Sequence, residues 1–160
     1  MKNFVSVAFT CLMASLACST FAVEMRPTMT LNVAKKMAAA CEEKAIQEGW
    51  KLNIAIMDSG GNLVYFERMD RAFLKSIDIA ILKAETSAGF PFSTKVIEDI
   101  ANTRVPGIAH VPGIATFEGG LPVMTSNGEH VGSIGVSGAK AHEDGICAQA
   151  AIDAVASDLQ

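Results

Sequence analysis

Residues 121–137 read LPVMTSNGEHVGSIGVS, and this stretch decides the fold class. It contains two extended runs, residues 121–126 and 129–137, on either side of Asn127-Gly128. That pair is the one best suited to the positive φ angles of a two-residue hairpin turn. Strands joined by so short a turn must be antiparallel. The stretch therefore predicts a β-hairpin rather than part of a doubly wound parallel sheet.

A second hairpin is predicted nearer the start of the chain. Leu52, Ile54 and Ile56 alternate with the residues between them as far as a turn over residues 58–62. Residues 63–69 then resume an extended pattern, which is typical of the return strand. Residues 114–117 are a candidate for one more short strand.

Helical periodicity accounts for most of the remaining chain. Thr30 is placed to cap the first helix and Gly49 to end it. Residues 105–113 contain two prolines and two glycines, which favours a surface loop of the kind that often carries sites. The element order is then αββααβββα, an α+β fold with helices against a single antiparallel sheet. The helices are predicted over residues 31–48, 76–88, 94–100 and 143–159.

The first residues of the chain predict a signal peptide. Lys2 supplies a positive charge, and the apolar run over residues 4–17 is shorter than the roughly 20 residues that cross a bilayer. We place cleavage between Ala22 and Val23, which leaves residues 23–160 as one domain. Cleavage before Cys18 would instead give a lipoprotein. The predicted location is therefore the periplasm, with secretion or a lipid anchor as alternatives.

The charge and cysteine content of the mature chain limit its partners. Without Lys2, 12 basic residues stand against 17 acidic ones, a formal charge of −5, which argues against nucleic acid or an anionic membrane. Cys41 and Cys147 are the cysteines left after cleavage. In an oxidising compartment they could form a disulfide, or they could simply be two buried apolar side chains.

Two pairs of polar residues are candidates for ligand binding. Arg68 and Asp70 are two residues apart in an extended segment, so their side chains lie on one face and can pair or hold a polar ligand. Lys83 and Thr86 are three residues apart on a predicted helix. There a cation and a hydroxyl could meet an anion, or both could face solvent.

The glycine-rich segment over residues 112–122 is a third candidate. Gly119-Gly120 lies at its centre and Pro122 at its end. Backbone amides that no side chain covers suit the close approach of a carboxylate or of another subunit. The spacing of His110, His130 and His142 identifies no metal site.

Five motifs in this order resemble the GlcG/HbpS family. The resemblance covers about residues 29–155 and implies a five-stranded antiparallel sheet flanked by helices. It also implies an oligomer, often an octamer, and similarity to the C-terminal domain of a cobalamin adenosyltransferase. The family commonly has glycine after Arg-Met-Asp, where this chain has Arg71. The motifs are IMDSGGNL (56–63), RMD (68–70), IA and KA (79–80 and 83–84), GGLP (119–122) and GSIGVSG (132–138).

The resemblance implies a haem or related tetrapyrrole binder outside the cytoplasm. Haem degradation and partnership with an extracytoplasmic haem or redox sensor are described for some members. On this interpretation the amides of Gly119-Gly120 and the cations Arg68 and Lys83 lie near the propionates. His110, in the loop beside the glycine segment, is the preferred iron ligand.

Two other functions are compatible with the same residues. The chain could be a small-molecule enzyme in which Asp70 or Glu118 acts as general acid or base while Arg68 holds a substrate carboxylate. It could also be a non-catalytic oligomeric accessory subunit whose glycine-rich edges serve assembly.

Overall fold

The computed structural model describes residues 25–160; the predicted signal peptide and both of its candidate cleavage sites lie outside the described residues. Short 3-10 helices over Pro106–His110 and Ala156–Leu159 supplement the main elements. The order of helices and strands confirms the predicted α+β class. The main elements are α1 (Leu31–Glu48), β1 (Asn53–Asp58), β2 (Leu63–Arg68), α2 (Ser76–Gly89), α3 (Thr94–Thr103), β3 (Gly120–Met124), β4 (His130–Ser137) and α4 (Ala141–Asp153).

Within residues 25–160 the sheet has four antiparallel strands in the order β2-β1-β4-β3. The prediction of five strands was wrong, because residues 114–117 form no strand. The backbone N–H of Ala115 donates to the Thr86 hydroxyl of α2 at 2.8 Å. A hydrogen bond to the Thr86 side chain therefore positions this segment, instead of the strand-to-strand hydrogen bonds that were expected.

Both predicted hairpins are confirmed, but the turn of the second one is longer than expected. The Thr125 N–H donates to the Glu129 carbonyl at 2.8 Å, and three residues lie between them. Gly128 alone in this turn has a positive φ, 85°. A three-residue loop with glycine in the left-handed position is the next most common hairpin connection.

Each face of the sheet is covered by helix. Ile54 and Ile56 of β1 belong to the main hydrophobic core together with residues of α1 and α4. Ala55 and Met57, which alternate with them, pack on the other face against α2. A Cβ added to Gly135 would lie 2.1 Å from the Ala80 carbonyl oxygen, so α2 approaches β4 this closely only over glycine.

A disulfide joins the two helices on the main core face. Cys41 of α1 and Cys147 of α4 are bonded, with their Cα atoms 4.9 Å apart, and both are fully buried. Among residues 25–160 no helix has the length and apolar character needed to cross a bilayer.

Candidate functional site

A cleft of about 220 Å³ opens where the first turns of α2 and α4 meet the end of β4. Aromatic side chains form part of its rim and a buried ion pair lies at its base. Small Ala80 and Ala84 on the sheet-facing side of α2 let the helix lie close to β4, and Lys83 is on that same side. The residues that matter below are Phe73, Ser76, Lys83, Phe117, Ser137 and Asp144.

Lys83 is bonded on several sides although it is only 1% exposed. Its Nζ donates to Asp144 Oδ2 at 2.8 Å and to the Val136 carbonyl at 2.9 Å. The same nitrogen lies 5.0 Å from the centroid of the Phe117 ring, a favourable cation–π distance. Buried lysines are rarely found without such partners.

Asp144, in the first turn of α4, neutralises the positive charge of Lys83. Its Oδ1 accepts the backbone N–H of Ala139 at 3.0 Å, so both carboxylate oxygens are bonded. Burial lowers the pKa of Lys83, and the attraction of Asp144 opposes that shift. Burial likewise raises the pKa of Asp144, and Lys83 opposes it. Each partner therefore favours the charged form of the other.

Hydrogen bonds to two threonine side chains hold the glycine-rich segment next to the Lys83–Asp144 pair. Thr86 accepts the Ala115 N–H, and Thr94 Oγ1 accepts the Gly120 N–H at 2.9 Å. A Cβ on Gly119, whose φ is 124°, would lie 2.5 Å from Lys83 Nζ. The structure thus places Gly119 beside Lys83, but Thr86, Gly119 and Gly120 do not line the cleft. The Gly120 amide already has a protein partner.

Arg68 and Asp70 lie outside the cleft lining, at the exposed end of β2. Arg68 donates to the Ala72 carbonyl at 3.4 Å, and within residues 25–160 no salt bridge joins Arg68 to Asp70. Arg71, which replaces the family's glycine, has a φ of 68°. This chain therefore keeps a glycine-like backbone conformation with a large charged side chain.

Pro122 lines a different cavity, a groove of about 460 Å³ along β3, α3 and α4. Its walls are largely apolar and include Phe92, which is 52% exposed, and Val96. Contiguous exposed apolar surface of this kind is typical of interaction sites.

None of the three histidines lines the cleft. His110 is exposed at the end of its 3-10 helix, and His142 is exposed in the first turn of α4. His130 lies in a third cavity, beside Arg26 and Ser59. No cluster of three or more potential metal ligands occurs in the part of the chain that the structure describes.

Sequence reasoning missed most of the cleft. An acidic residue at the start of a helix is expected from the helix dipole alone, so Asp144 did not stand out as a site residue. Its partner Lys83 is 61 residues away in the sequence. Ser76 belongs to no motif, and Ser137 stands in the GSIGVSG motif (132–138) without having been singled out as a polar site residue. The one available signal was the adjacent apolar pair Phe73-Leu74, which follows the polar Arg-Met-Asp stretch and is exposed.

Sequence comparison finds known proteins that are similar to this chain. A family model described as haem degrading protein HbpS-like matches residues 29–153. An uncharacterized 15.0 kDa protein from the dhaT-dhaS intergenic region of Citrobacter freundii is 38% identical over 133 residues, 79% of this chain and 91% of that protein. Protein GlcG of Escherichia coli K12 is 32% identical over 109 residues, 68% of this chain and 81% of that protein.

Solved structures agree with the sequence relatives. Protein ORFY of Klebsiella pneumoniae superposes with a TM-score of 0.81 at 32% identity, over 88% of this chain and 99% of that chain. A crystal structure of a PduOC–haem complex superposes with a TM-score of 0.74 at 27% identity, over 79% of this chain and 94% of that chain.

Proposed function

The chain belongs to the HbpS-like family, and we propose that it binds haem, or a related tetrapyrrole, outside the cytoplasm. The observation that carries the proposal is the similarity to PduOC, which was solved as a haem complex. The small-molecule enzyme hypothesis lacks comparable support, because none of its residues, Arg68, Asp70 and Glu118, lines the cleft.

The cleft fits one edge of a porphyrin. Phe73 is 69% exposed beside it and Phe117 covers its base, so a flat apolar ring system would meet aromatic surface. Lys83 lies at this base, where its charge is paired with that of Asp144. The volume is below the about 300–1,000 Å³ that is usual for small-molecule pockets, so most of the macrocycle would need cover from elsewhere. A second copy of the chain is the partner we propose for that role.

Iron ligation is a separate part of the proposal. Since none of the histidines lines the cleft, a histidine ligand would have to come from outside it. The sequence-based candidate is His110. We expect His110→Ala to keep saturable haemin binding, since His110 is not among the cleft residues. A changed Soret maximum in that variant would support ligation by His110, and an unchanged one would remove this assignment.

The proposed location rests on two features of the chain. The predicted signal peptide would direct the chain out of the cytoplasm. The buried Cys41–Cys147 disulfide supports an oxidising compartment, because such bonds are rare where thiols are kept reduced. The periplasm satisfies both conditions.

The test is a haemin titration of the mature chain followed by absorbance. We expect a saturable Soret shift with a defined number of haems per subunit. Light scattering on the same samples measures whether the chain self-associates and whether haem changes that state. A linear, non-saturating absorbance change would remove the proposal. Haem degradation, a possible later step, would appear as loss of the Soret band after adding a reductant to the saturated complex.

A further inference from the structure

Two serine hydroxyls that face the cleft have no partner among residues 25–160. Ser76 at the start of α2 is 6% exposed, and Ser137 at the end of β4 is 5% exposed. Both line the cleft, and neither hydroxyl forms a hydrogen bond with another group of residues 25–160. Neither oxygen is among the fully buried unpartnered atoms of residues 25–160, so both hydroxyls open into the cleft. Both are therefore free to bond a molecule that binds there.

The electrostatics of the cleft favour a negative ligand group. The charges of Lys83 and Asp144 cancel, since the two are paired at 2.8 Å. The N-termini of α2 and α4, helices of 14 and 13 residues, both meet the cleft, and each carries roughly half a positive charge. The acidic residues of these first turns, Asp78 and Glu143, are paired with exposed lysines. The helix N-termini therefore favour a negative group in the cleft, and the Glu118 carboxylate, which acts on Lys83, opposes them in part.

We infer that the cleft is a carboxylate site in which the hydroxyls of Ser76 and Ser137 donate to the ligand's oxygens. An ionised carboxylate only accepts hydrogen bonds, so it matches two free donors beside two helix N-termini. A volume of about 220 Å³ has room for the carboxylate end of a ligand with a small apolar body. The carboxylate can be a haem propionate, in which case this inference rests on the proposed function, or it can belong to a free organic acid.

The first arm of the test compares haemin with haemin dimethyl ester, whose carboxylates are blocked. Wild-type protein should bind haemin more tightly than the ester. The double variant Ser76→Ala/Ser137→Ala should lose about 10- to 100-fold in haemin affinity, the usual effect of hydrogen bonds to a charged group, and bind the ester unchanged. Ser126→Ala, at an exposed turn position, is the matched control and should behave as wild type.

The second arm uses benzoate, with benzyl alcohol as its uncharged counterpart, and follows the melting temperature. Benzoate should raise the melting temperature of wild type and of Ser126→Ala, but not that of the double variant. Without ligand, the double variant should melt no lower than wild type, because the two hydroxyls that it lacks form no protein hydrogen bonds in the wild type. This result also shows that the variant folds.

The two arms separate the two proposals. Haemin binding that is the same in wild type and double variant, with no response to benzoate, would overturn the carboxylate site and leave haem binding intact. A benzoate response that needs both serines, in a protein that does not bind haemin, would support a free organic acid as the ligand and remove haem binding.

Discussion

Lys83 Nζ lies 2.8 Å from Asp144 Oδ2, and this bond connects α2 to α4 across the end of the sheet. Both side chains are almost completely buried. Removing one partner of a buried pair leaves an unpaired charge, which is far more costly than removing both. The bond therefore gives the cleft its base and makes the fold sensitive to either residue alone.

We expect Lys83→Met to lower the free energy of unfolding by about 3–5 kcal/mol, because Asp144 loses its counter-charge in a buried position. Urea denaturation at neutral pH measures the loss. The double variant Lys83→Met/Asp144→Asn should recover about 2 kcal/mol or more, since no unpaired charge remains.

Lys75→Met provides the control for this pair. Lys75 pairs with Asp78 on the surface and is 82% exposed, so its removal should change stability by less than about 1 kcal/mol. An equal loss in Lys75→Met and Lys83→Met would show that burial does not set the strength of the Lys83 pair.

Arg71→Gly should raise the free energy of unfolding by about 0.5–1 kcal/mol. The left-handed φ of 68° is unfavourable for arginine by about 1–2 kcal/mol, and the greater freedom of glycine in the unfolded chain offsets part of the gain. Arg71→Lys keeps the charge and the strain, so it should match wild type. A stability gain in Arg71→Lys equal to that in Arg71→Gly would rule out backbone strain as the cause.

The double variant Cys41→Ala/Cys147→Ala should be less stable by about 3–5 kcal/mol, because the bond closes a loop of 106 residues in the unfolded chain. Thermal unfolding with and without a dithiol reductant measures this. The reductant should destabilise wild type towards the level of the variant and leave the variant unchanged. Two alkylatable thiols in denatured, unreduced wild-type protein would contradict the disulfide.

Glu67→Gln should stabilise the protein progressively as the pH rises above the ordinary pKa of a glutamate carboxyl. Burial and the nearby Glu42 carboxylate raise the pKa of Glu67, against the hydrogen bond from Tyr65. The folded state thus holds this proton more tightly, and the resulting stability is lost as the pH rises through the raised pKa. Glutamine does not titrate, so the difference in melting temperature should grow with pH. A constant difference would contradict the raised pKa.

Local patterns predicted most of the fold. Thr30 does cap α1, and Gly49 ends it with a φ of 76°. The prediction of a strand over residues 114–117 was wrong because the Ala115 N–H bonds to Thr86. Thr86 is on α2, far away in the sequence, so the local pattern of residues 114–117 gives no sign of this bond. The turn at Asn127-Gly128 gained a residue for a related reason: the pairing of Thr125 with Glu129 sets its length.

The candidate site was less predictable because it is assembled from distant segments. Lys83 and Thr86 are both buried on α2 and do not face solvent, and their partners Asp144 and Ala115 come from other elements. The pairing of Cys41 with Cys147 across 106 residues is of the same kind. Sequence spacing constrains neighbours on one helix or strand, whereas a cleft depends on how those elements pack.

The most direct test of haem binding at the cleft is the haemin affinity of Phe73→Ser compared with Phe92→Ser. Both phenylalanines are exposed, at 69% and 52%, but Phe73 lines the cleft and Phe92 lines the groove beside β3. We predict that Phe73→Ser weakens haemin binding at least about tenfold, in line with the loss of one buried aromatic contact, while Phe92→Ser binds as wild type. Wild-type affinity in Phe73→Ser together with lost affinity in Phe92→Ser would contradict the cleft as the haem site.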